Sequence, residues 1–249
     1  MPRSLPPEIL DFIVDHLRGD PASLKTCCLT SKSWIHRTRK HLFVHVEFRV
    51  FGPRLESWTK AFPDPTNSPA HHTRTLSIYH PRLIKAAHAD TISSFCGVVH
   101  LDMNAGRWSN ECVTLVPLQG LSPVLRSLCL ITALPDSEIF GFICSLPLLE
   151  DLEFRSLGRV QRDGRWTTPL TSPRLTGTLD LRGVMEGIQR ITRRLLDLPN
   201  GLHFTTIAVA WLTKEDVTST TNLVSRCSDT VQSLEVISCF SGTFPLVSV

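Results

Sequence analysis

Long apolar runs are what this chain of 249 residues most plainly lacks. None approaches the ~18 residues needed to cross a bilayer, so no membrane is expected as a partner. Charge of one sign is scarce as well: 26 Lys and Arg stand against 23 Asp and Glu, a formal +3. That balance is too even for the basic footprint of a nucleic-acid binder, and no nucleic acid is expected either. A secretory signal is missing, because Met1-Pro2-Arg3-Ser4 runs straight into a Pro-interrupted segment carrying Glu8 and Asp11. The expected location is therefore inside the cell, and without a dense basic run the sequence leaves cytoplasm and nucleus both open. Cys-x-x-Cys does not occur among the eight cysteines. Cys27 and Cys28 are adjacent, while Cys129, Cys144, Cys227 and Cys239 sit in apolar patterns and read as reduced, small hydrophobes. His36, His41, His45 and the pair His71-His72 have no second set of ligands at zinc spacing, so no metal and no cofactor is expected. Glycine-rich phosphate loops, Gly-x-Ser-x-Gly and His-Glu-x-x-His are absent too, and the chain is not expected to be an enzyme.

What is present begins at the amino terminus. Pro6 and Pro7 suit a helix start, where an N–H has no intrahelical partner to lose, and Glu8 complements the helix dipole. Ile9, Ile13 and Leu17 follow at i, i+4 and i+8, with Leu10 and Phe12 widening the stripe. Arg18-Gly19-Asp20-Pro21 stops that helix and starts another, which carries Leu24, Cys28 and Leu29. Trp34 and Ile35 extend the pattern into a third. So many apolar side chains exceed what so small a unit can bury, and the excess has to go to a partner. The run Leu5-Pro6-Pro7-Glu8-Ile9-Leu10, with Ile13, Leu17, Leu24, Cys28, Leu29, Ser33-Trp34 and Arg39-Lys40-His41-Leu42-Phe43, resembles an F-box. Many F-boxes have Val where this chain has Leu29. The resemblance covers residues 4 to about 45 and implies docking on the Skp-type adaptor of a cullin–RING ubiquitin ligase. Carried over, the adaptor-binding positions are Leu5, Pro6, Ile9, Ile13, Leu17, Leu24, Cys28, Leu29 and Trp34.

Residues 46–71 read as a link: a strand over Val44–Val50, a short helix between Pro53 and Phe62, and a Pro-rich loop over 63–69 expected to be the least ordered segment. From residue 72 a unit repeats. Strand-like segments centre on Leu76, Leu101, Leu128, Leu152, Leu179, Ile207 and Leu234, separated by 25, 27, 24, 27, 28 and 27 residues. Helical spacing fills several intervals, over Ser137–Leu146, Val184–Leu198 and Lys214–Cys227. One strand and one helix per ~26 residues is the pattern of a repeat array. The units resemble leucine-rich repeats of the longer, cysteine-containing kind found behind F-boxes. The Asn or Cys such units place three residues past the last strand Leu occurs only as Cys239, so irregular repeats are expected. The fold expected is α/β: a three-helix F-box over 1–45, then about seven irregular repeats over 72–249. Parallel strands would line a concave face and helices the convex one. Phe244–Val249 follows the seventh strand with no capping unit, so a truncated repeat region is one reading.

Strand alternation places the residue after each central Leu on the open face. That column reads Ser77, Asp102, Cys129, Glu153, Asp180, Ala208, Glu235, and Asp151 joins it from the row before. The expected substrate-binding set is Asp102, Asp151, Glu153, Asp180 and Glu235, a mildly acidic stripe suited to a basic segment, with Arg155 and Arg182 positioned to neutralise part of it. Trp108, Trp166 and Trp211 are weaker candidate anchors, and Arg190, Arg193 and Arg194 form a small basic cluster on an outward helix face. Together the resemblances imply a substrate-recognition adaptor that holds an unidentified target protein near the ligase. The alternative is a scaffold that binds the adaptor without causing degradation.

Overall fold

The computed structural model describes residues 6–49, 54–79, 86–104, 115–121, 123–132, 134–157, 171–184, 187–211 and 213–238. Leu5, Trp108, Trp166 and Cys239 lie outside them, as does the segment after Ser238.

Three helices come first: α1 (Pro7–His16), α2 (Pro21–Thr30) and α3 (Lys32–Leu42). Pro7 and Pro21 occupy first-turn positions, and the Asp20 carboxylate caps α2 by accepting from the N–H groups of Ala22 and Ser23 at 3.0 and 3.1 Å. Ser31 caps α3 through Ser33 N–H. Asp15 ties α1 to α3, accepting from Arg37 Nε at 2.6 Å and pairing with His41 Nε2 at 2.7 Å. Those two partners hold its carboxyl far below the usual carboxylate range, Arg37 contributing most. The interior of this unit is small: Val14, Leu24 and Cys27, with Thr38 bonded to the Trp34 carbonyl.

Eight parallel strands follow in one sheet whose spatial order is the chain order. They are β1 (His45–Phe48), β2 (Thr75–Tyr79), β3 (His100–Asn104), β4 (Ser127–Thr132), β5 (Asp151–Leu157), β6 (Thr178–Leu181), β7 (Thr206–Trp211) and β8 (Ser233–Ser238). The expected centres sit side by side in register, Leu76, Leu101, Leu128, Leu152, Leu179, Ile207 and Leu234. Val46 joins that row ahead of Leu76, so the strand read as part of a link is the first strand of the sheet. Each strand begins about two residues later than its apolar pattern suggests. At β2, β3, β4, β5, β7 and β8 the two residues that bracket the strand entry, the last before it and its first, instead dock on one carbonyl of the preceding unit. Arg74 and Thr75 both donate to the Val44 carbonyl (2.8 and 3.0 Å), Val99 and His100 to Arg74, Arg126 and Ser127 to Val99, and Glu150 and Asp151 to Arg126. Thr205 and Thr206 repeat the arrangement on Gly177, and Gln232 and Ser233 repeat it on Thr205. This backbone ladder ties neighbouring units together without the Asn side chains the sequence lacks.

Between the strands run α4 (Leu55–Ala61), α5 (Ala89–Ser93), α6 (Asp136–Cys144), α7 (Ile188–Leu196) and α8 (Lys214–Arg226), with several 3-10 turns. The Pro-rich loop is more ordered than expected. It forms two 3-10 turns, the first capped by Asp64 and the second, Pro69–His72, capped by Ser68 and carrying the buried Ala70. Parallel neighbours in chain order require every connection to cross in the same sense, which places the connections on one face. Packing agrees: one buried apolar cluster runs from Val46 to Cys227, joining one face of the strands to α4, α6, α7 and α8. The other face carries the polar alternates.

Candidate functional site

Two surfaces remain for function. On the helical unit, Ile9, Phe12, Ile13 and Leu29 are exposed, at 47, 62, 39 and 89%. Pro6 is exposed beside them, while Leu17, Cys28 and Trp34 are half-buried. Leu24 differs from its expected place. It is 1% exposed and forms the interior with Val14 and Cys27, since it faces the other helices from the middle of α2. Phe12 belongs to the exposed set although it was read only as widening the α1 stripe; its i, i+3 relation to Ile9 was the available signal.

The second surface is the polar face of the sheet. Register puts Glu47, Ser77, Asp102, Cys129, Glu153, Asp180, Ala208 and Glu235 in one row, so the expected column is assembled as read. Glu47 is an addition. Its signal was in the chain: Glu47-Phe48-Arg49 repeats the acid-x-Arg spacing of Glu153-Phe154-Arg155 and Asp180-Leu181-Arg182.

Arginines two residues on do neutralise much of this row. Arg155 Nε donates to Glu153 at 2.5 Å, and Arg49 pairs with Glu47. Arg182 grips Asp180 (2.6 Å) and also reaches Glu235 two strands away (2.9 Å). It reaches that far because the intervening Ala208 presents only a methyl group between them. These pairs raise Arg155 and Arg182 well above the usual guanidinium range, the hydrogen bonds to Glu153 and Asp180 contributing most. Asp102 is different: its Oδ1 is buried and has no hydrogen-bond partner among the described residues. Beside it, burial pushes the Cys129 thiol up, reinforced by the charges of Asp102 and Glu153, so this cysteine is a packed hydrophobe rather than a nucleophile.

Asp151 requires a correction. Its carboxylate accepts from Thr178 N–H at 2.6 Å, taking the place that a backbone carbonyl fills at the other strand entries. Strands β5 and β6 share only two register pairs, and this side chain closes the gap between them. Its acceptor is committed to the sheet.

Among the described residues no group of three His, Cys, Asp or Glu is placed to hold a metal, and no helix is long and apolar enough to cross a membrane. The six described cysteines, Cys27, Cys28, Cys96, Cys129, Cys144 and Cys227, are free thiols. Trp211 is the last residue of β7. No family model matches this chain, and no curated protein matches it.

Proposed function

We propose that this chain is a protein-interaction adaptor. Its amino-terminal helices dock on a Skp-type adaptor of a cullin–RING ubiquitin ligase, and the polar face of the repeat sheet, the concave face of a leucine-rich-repeat-like solenoid, receives a target protein. One observation carries the reading. The helical unit buries three apolar side chains and leaves Ile9, Phe12, Ile13 and Leu29 open, although α2 and α3 are capped and Asp15 ties α1 to α3. Exposed apolar groups at regular helical spacing on a well-formed scaffold mark a contact surface. Ile9, Ile13 and Leu29 are among the positions the F-box resemblance assigns to the adaptor. Proximity would be the protein's contribution to the ligation reaction, with bond-making left to its partners.

The test is co-expression with a Skp-type adaptor, comparing the native chain with Ile9→Asp/Ile13→Asp. Both side chains are exposed, so the double variant should keep its unfolding midpoint while losing capture. Each buried anchor in such a contact is worth about 1–3 kcal/mol. A native chain that folds and fails to bind removes the reading. Where binding holds, the presence or absence of ubiquitinated partners in the complex separates a degradative adaptor from a scaffold.

A further inference from the structure

We propose that the outer edge of β1 is a peptide-binding site. It takes an extended segment of a partner protein as a further strand, with large apolar side chains against α4 and a carboxylate beside Arg39. β1 lies at the margin of the sheet and pairs only with β2. The Val44 carbonyl faces β2, where it accepts from Arg74 and Thr75. Alternation along the strand therefore turns the N–H and C=O groups of His45 and Glu47 outward, and no protein group meets them among the described residues. An unpaired edge of this kind is a template for another strand.

A groove of about 350 Å³ follows that edge. His45, Val46, Glu47 and Phe48 all line it. Successive side chains of a strand point to opposite faces, so a cavity that touches all four runs along the strand's margin. The other wall is α4, through Ser57, Trp58, Ala61 and the C-cap residue Phe62. Ring contacts of Phe43 with Phe62 (6.1 Å) and of Phe48 with Trp58 (5.9 Å) hold that wall antiparallel to β1. Backbone donors and acceptors along one side and an aromatic wall along the other suit an extended peptide, whose main chain and alternate side chains use the two in turn.

Charge selects the peptide. Glu47, the one carboxylate among the described residues that line the groove, is neutralised by its pair with Arg49. The Arg39 guanidinium lies 5.7 Å from the centre of the Phe62 ring and enters no ion pair among the described residues. It stands at the His45 end of the groove, because Phe62 packs on Phe43 just ahead of β1. A guanidinium held there favours a carboxylate on the ligand. Four residues of strand span about 13 Å, so the recognised core is about four residues long. The site lies at the end of the sheet and stands independently of adaptor docking.

The experiment is selection of random octapeptides displayed on phage against the full chain, followed by anisotropy titration of the enriched peptides. They should alternate large apolar with polar residues and carry Asp or Glu. His45→Pro removes an outward N–H and leaves the β1–β2 ladder intact, a substitution the first residue of an edge strand tolerates. Its unfolding midpoint should match that of the native chain while peptide affinity falls at least tenfold. Ala61→Gln, exposed on the opposite wall, should cause a similar loss by filling the groove, and it decides the matter if His45→Pro shifts the midpoint. Arg39→Ala should weaken the acidic peptides at least fivefold and leave their Asn or Gln versions unchanged. Hydrogen exchange should slow at 45–48 on binding. No enrichment, or equal affinity in both groove variants, overturns the site. Enriched peptides without an acidic residue, or acidic peptides indifferent to Arg39→Ala, overturn the ligand class. A concentration-dependent dimer that His45→Pro abolishes, without peptide binding, gives the edge to a second copy of this chain and overturns the proposal.

Discussion

Asp151 shows how far a single residue can be read from the chain alone. Period-two alternation correctly assigns it to the open face, yet period says nothing about whether a carboxylate is already engaged. Here it replaces a backbone acceptor for Thr178 N–H, and Gly177 permits the approach: a Cβ there would stand 2.1 Å from Asp151 Oδ1. Asp151→Ala should therefore destabilise the fold by about 1 kcal/mol, the worth of the lost hydrogen bond to a partly buried donor. Asp151→Asn keeps an acceptor and should recover most of that loss. Urea denaturation of the three proteins checks this, and equal stability of Ala and native chains refutes it. Asp102, by contrast, has a buried Oδ1 that no N–H of the next strand meets among the described residues. Two aspartates that look alike in sequence thus separate through what lies opposite them on the next strand.

Between elements, the junction of α3 with the Pro69–His72 turn is a cluster of histidines. The His72 ring lies 5.3 Å from His36 and 3.9 Å from His71. Burial, then the charges of His71, His36, Lys40 and Arg39, brings His72 down to about 4. The unfolded chain, with an ordinary value of 6.5, then binds the proton first as pH falls. Stability from this group is complete above pH 6.5, declines between 6.5 and 4, and levels below. Asp15 adds a loss in the same direction at lower pH, since its depressed carboxyl is ionised in the folded chain where the unfolded one has begun to protonate. His72→Gln should flatten the slope of unfolding free energy between pH 6.5 and 4.5 while leaving the Asp15 loss below that. A slope identical to that of the native chain would exclude His72 as its origin. This junction was illegible in the sequence for a physical reason. Capped turns of three or four residues have no periodicity, and the prolines that suggested disorder instead begin the turns, where a missing N–H costs nothing.

Across the whole molecule, the spacing of 24 to 28 residues was legible because each unit must return an apolar residue to the same row. The first strand escaped that reading because Val46 precedes Leu76 by a longer interval, one that accommodates α4 and both 3-10 turns. Chain order in the sheet also dictates how stability is distributed. Every interior strand is held by its two sequence neighbours through the ladder at its entry, whereas an edge strand has one. At β8, Leu234, Val236 and Ile237 are 44, 37 and 44% exposed, while Leu128, Leu152 and Phe154 in β4 and β5 are essentially closed to solvent. Opening should therefore begin at β8 and reach β4 last, as expected where contacts are to nearest neighbours. Hydrogen exchange followed by mass spectrometry should show amides of 233–238 exchanging well before those of 127–130. Leu128→Ala should cost about 2–5 kcal/mol and accelerate exchange in β3, β4 and β5 together. Leu234→Ala, at a side chain already partly in water, should cost about 1 kcal/mol and leave β4 protected. Uniform protection from β2 to β8, or equal effects of the two substitutions, would mean that the sheet unfolds as one unit and that the neighbour-by-neighbour ladder does not set its stability.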